Sequence, residues 1–117
     1  RNQVYNGLFR AVEGKLERVS EDRAIALSQL EEEIKNLQAP VFLVGDGSIL
    51  CYNTLKDTVP ALVMPPEHRM HQRATGVALA ALQKIAAGDP GDGAAFEPNY
   101  LRLSQAEREK LERENKK

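Results

Sequence analysis

This sequence has a single cysteine, Cys51, so it can form no internal disulfide. A lone thiol fits a reducing compartment, and a cytoplasmic location is expected. No uninterrupted apolar stretch approaches the ~20 residues that a membrane-spanning helix needs. The net charge of -1 gives no bulk attraction to nucleic acid or to an anionic membrane. The chain opens on Arg1-Asn2-Gln3-Val4-Tyr5, with neither a signal-peptide pattern nor an initiator methionine, and it is expected to be cut from something longer. It has no internal repeat. With 117 residues, 42% of them hydrophobic and 28% charged, it is expected to form one domain around a single core.

The most informative stretch runs from Pro40 to Ser48. Val41-Phe42-Leu43-Val44 is apolar at every position, which predicts a strand covered on both faces. It empties into the glycine turn Gly45-Asp46-Gly47-Ser48, at the carboxyl edge where open α/β sheets place ligands. Upstream, Gln3 to Val12 reads as strand, with Val4, Leu8 and Val12 on one side and Tyr5, Phe9 and Ala11 on the other. Glu13-Gly14 offers a turn, Lys15 to Glu21 a return strand, and Ala24 to Leu27 a short third one; Leu16 and Val19 fall on opposite faces. Ser28-Gln29-Leu30-Glu31 reads as a capping box opening a helix with Leu30, Ile34 and Leu37 on its stripe, and Pro40 stops it.

Beyond the glycine turn, Ile49 to Lys56 has room for two helical turns, and Ala61 to Met64 is a brief strand closed by Pro65-Pro66. The periodicity then predicts a long helix over Glu67 to Ala87, with Met70, Ala74, Val77, Ala81 and Ile85 buried and Gly88 as its stop. Asp89 to Pro98 is turn-rich, Tyr100 to Leu103 extended, and Ser104-Gln105-Ala106-Glu107 a second capping box. The tail behind it is charged on nearly every face, with Leu111 its only large apolar residue, and reads as a solvated helix. The expected fold is α/β: a mixed sheet from an N-terminal meander plus two further strands, with helices packed on its faces. Residues 1–103 are expected to form this lobe and 104–117 the tail.

No complete catalytic constellation is visible, and neither catalytic residue nor cofactor is expected. Gly45, Asp46 and Gly47 are candidates for a nucleotide-binding turn, because bare backbone and a following helix offer donors to an anion. The turn has no Lys-Ser/Thr at P-loop spacing, and Asp46 repels phosphate, so a structural strand-to-helix turn is favoured. His68 and His71, three apart, are candidates for a metal site, but zinc proteases need ligands four apart with a glutamate between them, and the chain has no third histidine. Cys51, among Ile49, Leu50 and Tyr52, reads as a packing thiol. Ser48 lacks the G-x-S-x-G elbow. Glutamates alternate with the tail's Lys and Arg residues, which argues against an RNA-binding arm.

Several segments together resemble the C-terminal half of the TsaB family, the bacterial tRNA threonylcarbamoyladenosine biosynthesis proteins of glycoprotease-like type. They are Arg1-Asn2-Gln3-Val4-Tyr5-Asn6-Gly7-Leu8-Phe9, Val44-Gly45-Asp46-Gly47-Ser48, Pro65-Pro66 before Met70-His71-Gln72-Arg73-Ala74, and Pro98-Asn99-Tyr100-Leu101-Arg102-Leu103-Ser104-Gln105-Ala106-Glu107. The resemblance implies a ribonuclease-H-like lobe of the actin, Hsp70 and sugar-kinase superfamily. In active relatives such as TsaD the turn is a Gly-Gly-Gly type adenosine loop, whereas Asp46 holds the middle position here. Arg1 to Phe9 also lacks the Asp and glycine-threonine phosphate loop of those relatives. The resemblance therefore implies a non-catalytic partner, supporting the TsaD transferase at adenosine 37 of tRNA, with TsaE supplying ATPase function. It implies contact with TsaD mainly through an N-terminal lobe, and self-association through the apolar surface a lone lobe exposes. Two rivals are a nucleotide-dependent ATPase or kinase-like lobe using Gly45 to Ser48, and a metallopeptidase built on His68 and His71.

Overall fold

The computed structural model describes residues 2–89 and 91–116. Arg1, Pro90 and Lys117, which belong to the N-terminal match, the turn-rich loop and the tail, lie outside the described residues. Among the described residues the elements run in the order β1 (Gln3–Asn6), β2 (Phe9–Val12), β3 (Lys15–Arg18), β4 (Arg23–Ala26), α1 (Leu27–Ile34), β5 (Val41–Phe42), α2 (Ser48–Leu55), β6 (Leu62–Val63), α3 (Glu67–Met70), α4 (Ala74–Ala86) and α5 (Gln105–Asn115). The chain divides into two compact units, one of residues up to Val4 with Ile25–Phe96, the other of Tyr5–Ala24 with the residues from Glu97 on.

In the first unit, α1 and α2 share the core. Leu27, Leu30 and Ile34 of α1 meet Cys51 and Leu55 of α2, together with Ile25, Val59 and Leu62. Leu27, Ile34, Leu55 and Val59 are all but sealed from solvent. Val4, Val41, Leu43 and Tyr52 pack around them. Strands β5 and β6 run parallel, Val41 beside Leu62 and Phe42 beside Val63, with α2 as the crossover between them. Backbone bonds Val41 N to Ala61 O and Leu43 N to Val63 O extend the pairing.

The second unit contains a hairpin. Phe9 faces Arg18, Arg10 faces Glu17 and Val12 faces Lys15, so β2 and β3 are joined by two residues. Glu13 and Gly14 both take positive φ, 50° and 76°, as a type I′ turn requires. Arg18 lies 4.6 Å over the Phe9 ring, a cross-strand cation–π contact. Tyr5, Phe9 and Ala11 are exposed and Val4, Leu8 and Val12 half-buried, but burial alternates only along β1, since Phe9, Arg10 and Ala11 of β2 are all exposed. Leu16 and Val19 are both exposed. Helix α5 opens on the capping box read from the sequence: Ser104 Oγ accepts from Glu107 N, and the Glu107 carboxylate accepts from Ser104 N at 2.8 Å. The Ser104 hydroxyl, donating to the same carboxylate at 2.7 Å, and after it the Ser104 backbone N–H hold the Glu107 carboxyl below its ordinary pKa.

Several expectations need correction. The single mixed sheet is replaced, among the described residues, by three two-stranded pairs, β1 with β4, β2 with β3 and β5 with β6. Gly7-Leu8 interrupts the first strand, and β4 turns from its sequence neighbour β3 to β1. The strand over 41–44 is not covered on both faces, since Phe42 and Val44 are 64% and 67% exposed. With a single pairing partner it alternates in burial like a half-covered strand. Ser28 does not cap α1. The helix begins two residues earlier, at Leu27 with Ala26 as its N-cap, and Gln29 accepts from the Ala26 backbone N–H at 3.4 Å. Leu37 lies beyond the end of that helix and is exposed.

The long helix over 67–87 is broken. Pro65-Pro66 lead into the single turn α3, then His71 and Arg73 are extended before α4. The cause is a diverted carbonyl: Met70 O accepts from Gly45 N at 2.6 Å rather than from the next turn of helix. Of the predicted stripe only Met70 is buried, and Val77, Leu79, Leu82 and Ile85 on α4 stay more than half exposed. Gly88, at φ 93°, does stop α4. Asp89 N reaches Lys84 O and Gly88 N reaches Ile85 O, the paired bonds of a Schellman ending.

Burial separates the helices energetically. Leu55→Ala is expected to cost about 2–5 kcal/mol, a large part of a small domain's stability. Leu79→Ala on α4 should stay within about 0.5 kcal/mol. Urea unfolding followed by circular dichroism checks both, and equal losses at the two sites would contradict this placement of the core.

Candidate functional site

The glycine turn sits between β5 and α2. Gly45 takes φ 98°, in the left-handed region, with open space around it. Its carbonyl accepts both Ser48 N at 3.1 Å and Ser48 Oγ at 2.7 Å, closing a turn over Asp46 and Gly47. Ser48 is buried, and its hydroxyl donates to a backbone carbonyl, which is the position of a structural serine and not of a nucleophile. Gly47 is the N-cap of α2 and has a different task. A Cβ there would stand 3.3 Å from Val4 Cγ1, so its bare Cα lets the turn close onto β1. The two glycines thus serve a bend and a close approach.

Asp46 and His71 meet across this turn, His71 Nδ1 to Asp46 Oδ1 at 3.1 Å. Both side chains are well exposed, so solvent screens the contact. It follows from the Gly45–Met70 bond, which delivers the residue after Met70 to the turn. Sequence spacing gave no sign of it. The pairing of His68 with His71 fails for the same reason: His71 is extended and off the helix, so the two do not share a helical face. Among the described residues no three His, Cys, Asp or Glu side chains gather to hold a metal ion.

Cys51 is buried in the core, and burial pushes its thiol pKa up. That is the opposite of activation, because only the thiolate attacks.

In the second unit, Tyr5, Asn6, Gly7, Asp22, Asn99 and Leu101 line an open recess of about 400 Å³. Two of the segments that carry the resemblance meet there. Leu8 anchors the unit, donating its N–H to Ser20 Oγ and accepting from Val19 N and Ser20 N. Arg18 Nη1 donates to Asp22 Oδ1 at 2.7 Å and to Ser20 O, and Arg23 Nε donates to Asn6 Oδ1 at 3.1 Å. A Cβ at Gly7 would lie 2.9 Å from Asp22 Oδ1 and 3.2 Å from Phe9 Cε2, so a side chain there would shift the Asp22 carboxylate. Sequence reasoning had not singled out this group, whose members come from opposite ends of the chain; only the matching segments at either end pointed towards it.

No family model matches the chain. The architecture is that of an α/β protein with small sheets, and no helix among the described residues is long and apolar enough to cross a membrane. The resemblance drawn from the residues is shown by direct comparison. The chain is 30% identical over 113 residues to the tRNA threonylcarbamoyladenosine biosynthesis protein TsaB of Bacillus subtilis (strain 168). The match covers 96% of this chain and 48% of that protein. The chain therefore spans about half the length of the curated relative it matches.

Burial of the thiol and the shape of the turn each set a measurable outcome. A thiol whose pKa rises on folding holds its proton longer in the folded chain. Its contribution is whole below the free thiol's ordinary pKa, about 8.5, and is lost as pH climbs from there through the folded value. Urea midpoints are expected to fall more steeply above that pH for the native chain than for Cys51→Ala; parallel curves would argue against a protonated, buried thiol. Gly45→Ala places a Cβ on a left-handed residue and is expected to cost about 1 kcal/mol, read from the same midpoints.

Proposed function

We propose that this chain is a non-catalytic scaffold lobe of the machinery that makes threonylcarbamoyladenosine at position 37 of tRNA. The observation that carries this reading is its similarity to TsaB along nearly its whole length. The proposed fold is a ribonuclease-H-like lobe, and the β5–α2–β6 unit with its parallel pair is the part that favours it. The proposed location is the cytoplasm.

The geometry of the glycine turn supports a partner without catalysis of its own. Its glycines are occupied with a bend and with packing against Val4, its serine with a backbone carbonyl, and its middle position carries the exposed carboxylate of Asp46. A carboxylate beside the N-terminus of α2 takes the place that a bound anion would want. The proposed partners are a TsaD-type transferase, which performs the transfer, and a TsaE-type ATPase. The apolar residues Val77, Leu79, Leu82 and Ile85 offer a surface through which the isolated chain self-associates.

The chain, joined to the remaining half of its Bacillus subtilis relative, is expected to co-purify with the TsaD transferase, and to restore the modified nucleoside in cells lacking TsaB. Failure of both would overturn the reading. Calorimetry with ATP tests the rival nucleotide-dependent enzyme: saturable binding that disappears on Gly45→Val, with the circular dichroism spectrum unchanged, would favour it. In sedimentation, Leu82→Lys is expected to lower the association of the isolated chain.

A further inference from the structure

The geometry points to the recess in the hairpin unit as a site for a single unpaired nucleotide, its base against Tyr5 and its phosphate towards Arg18. The inference rests on the tRNA-modification reading and extends it to direct contact with RNA. The recess, about 400 Å³, lies at the small end of the range for ligand pockets and suits one nucleotide better than a folded element. Tyr5 is 65% exposed, and its hydroxyl has no partner among the described residues, so its ring is available for stacking.

The polar groups on the walls are each half committed. Arg23 occupies the carbonyl oxygen of Asn6, which leaves that amide's NH₂ to donate. Arg18 engages one oxygen of Asp22, which leaves the other to accept. The Asn99 amide, with no partner among the described residues, adds a donor and an acceptor. Donors and acceptors lining one recess match the edge of a nucleobase, and Leu101 supplies an apolar wall. Arg18 meets Asp22 and Ser20 through Nη1 alone, so the rest of its guanidinium fork is open to phosphate oxygens. A neutral sugar would meet the amides and the carboxylate equally well but has no use for that cation, so the nucleotide is the better fit. Gly7, also on the lining, leaves the Asp22 carboxylate in its place, since a Cβ there would meet it.

The test is an NMR titration of the full chain with adenosine monophosphate, uridine monophosphate, ribose phosphate and glucose, followed at the Asn6 and Asn99 side-chain amides and the Tyr5 ring. Both nucleotides are expected to shift these signals, more strongly than either sugar and less at high salt. Tyr5→Ala should weaken binding about ten-fold, the scale of one lost stacking contact, and Tyr5→Phe should keep it, as should Gly45→Val. Equal shifts with glucose or ribose phosphate, unchanged binding by Tyr5→Ala, or loss on Gly45→Val instead would each overturn the assignment. If the nucleotides fail to bind while co-purification with the transferase holds, this inference falls and the scaffold reading stands.

Discussion

The larger unit depends on one strip of apolar contact, where Leu27, Leu30 and Ile34 on α1 meet Cys51 and Leu55 on α2. Its strands are too short to organise anything by themselves. Strands β5 and β6 share two register pairs, and a two-stranded ribbon is marginal in water without a layer to pack on. Packing of α1 against α2 supplies that layer, and Leu62 and Val41 attach the parallel pair to it. Once α2 is seated its N-terminus is fixed, and with it the glycine turn.

From that turn a single backbone bond redirects the chain beyond α3. Met70 O, taken by Gly45 N, is withheld from the helical ladder, and the chain leaves the helix for three residues before α4 begins. His71 reaches Asp46 as a result. The arrangement places a carboxylate and an imidazole where a phosphate-binding loop would present bare N–H groups.

Helix α4 shows how far composition and context can part. Its stripe of Val77, Ala81 and Ile85, widened by Ala78 and Leu82, is the pattern of a helix against a sheet, yet none of its residues is buried. An apolar helix in water gains little from burial and depends on its alanine-rich propensity and its Schellman ending to hold together. The hairpin is similar: its turn and cross-strand pairs hold it, while β3 is exposed throughout.

Local chemistry was legible in the residues. The turn at Glu13-Gly14, the stop at Gly88, the box at Ser104 and Glu107, the packing role of Cys51 and the short helix after the glycine turn all arise from interactions between near neighbours in the chain, or from one side chain's polarity. The resemblance to TsaB was legible for the same reason, since it rests on short runs of neighbouring residues. Which strand pairs with which was not, because β4 chooses β1 over β3 through contacts that no periodicity encodes. Nor could spacing foretell that Gly45 would claim the carbonyl of Met70, or that Asn6 and Asn99 would line one recess. Those choices were made by the tertiary structure, where a hydrogen bond or a packed methyl group between distant residues outweighs the weak preferences of any single segment.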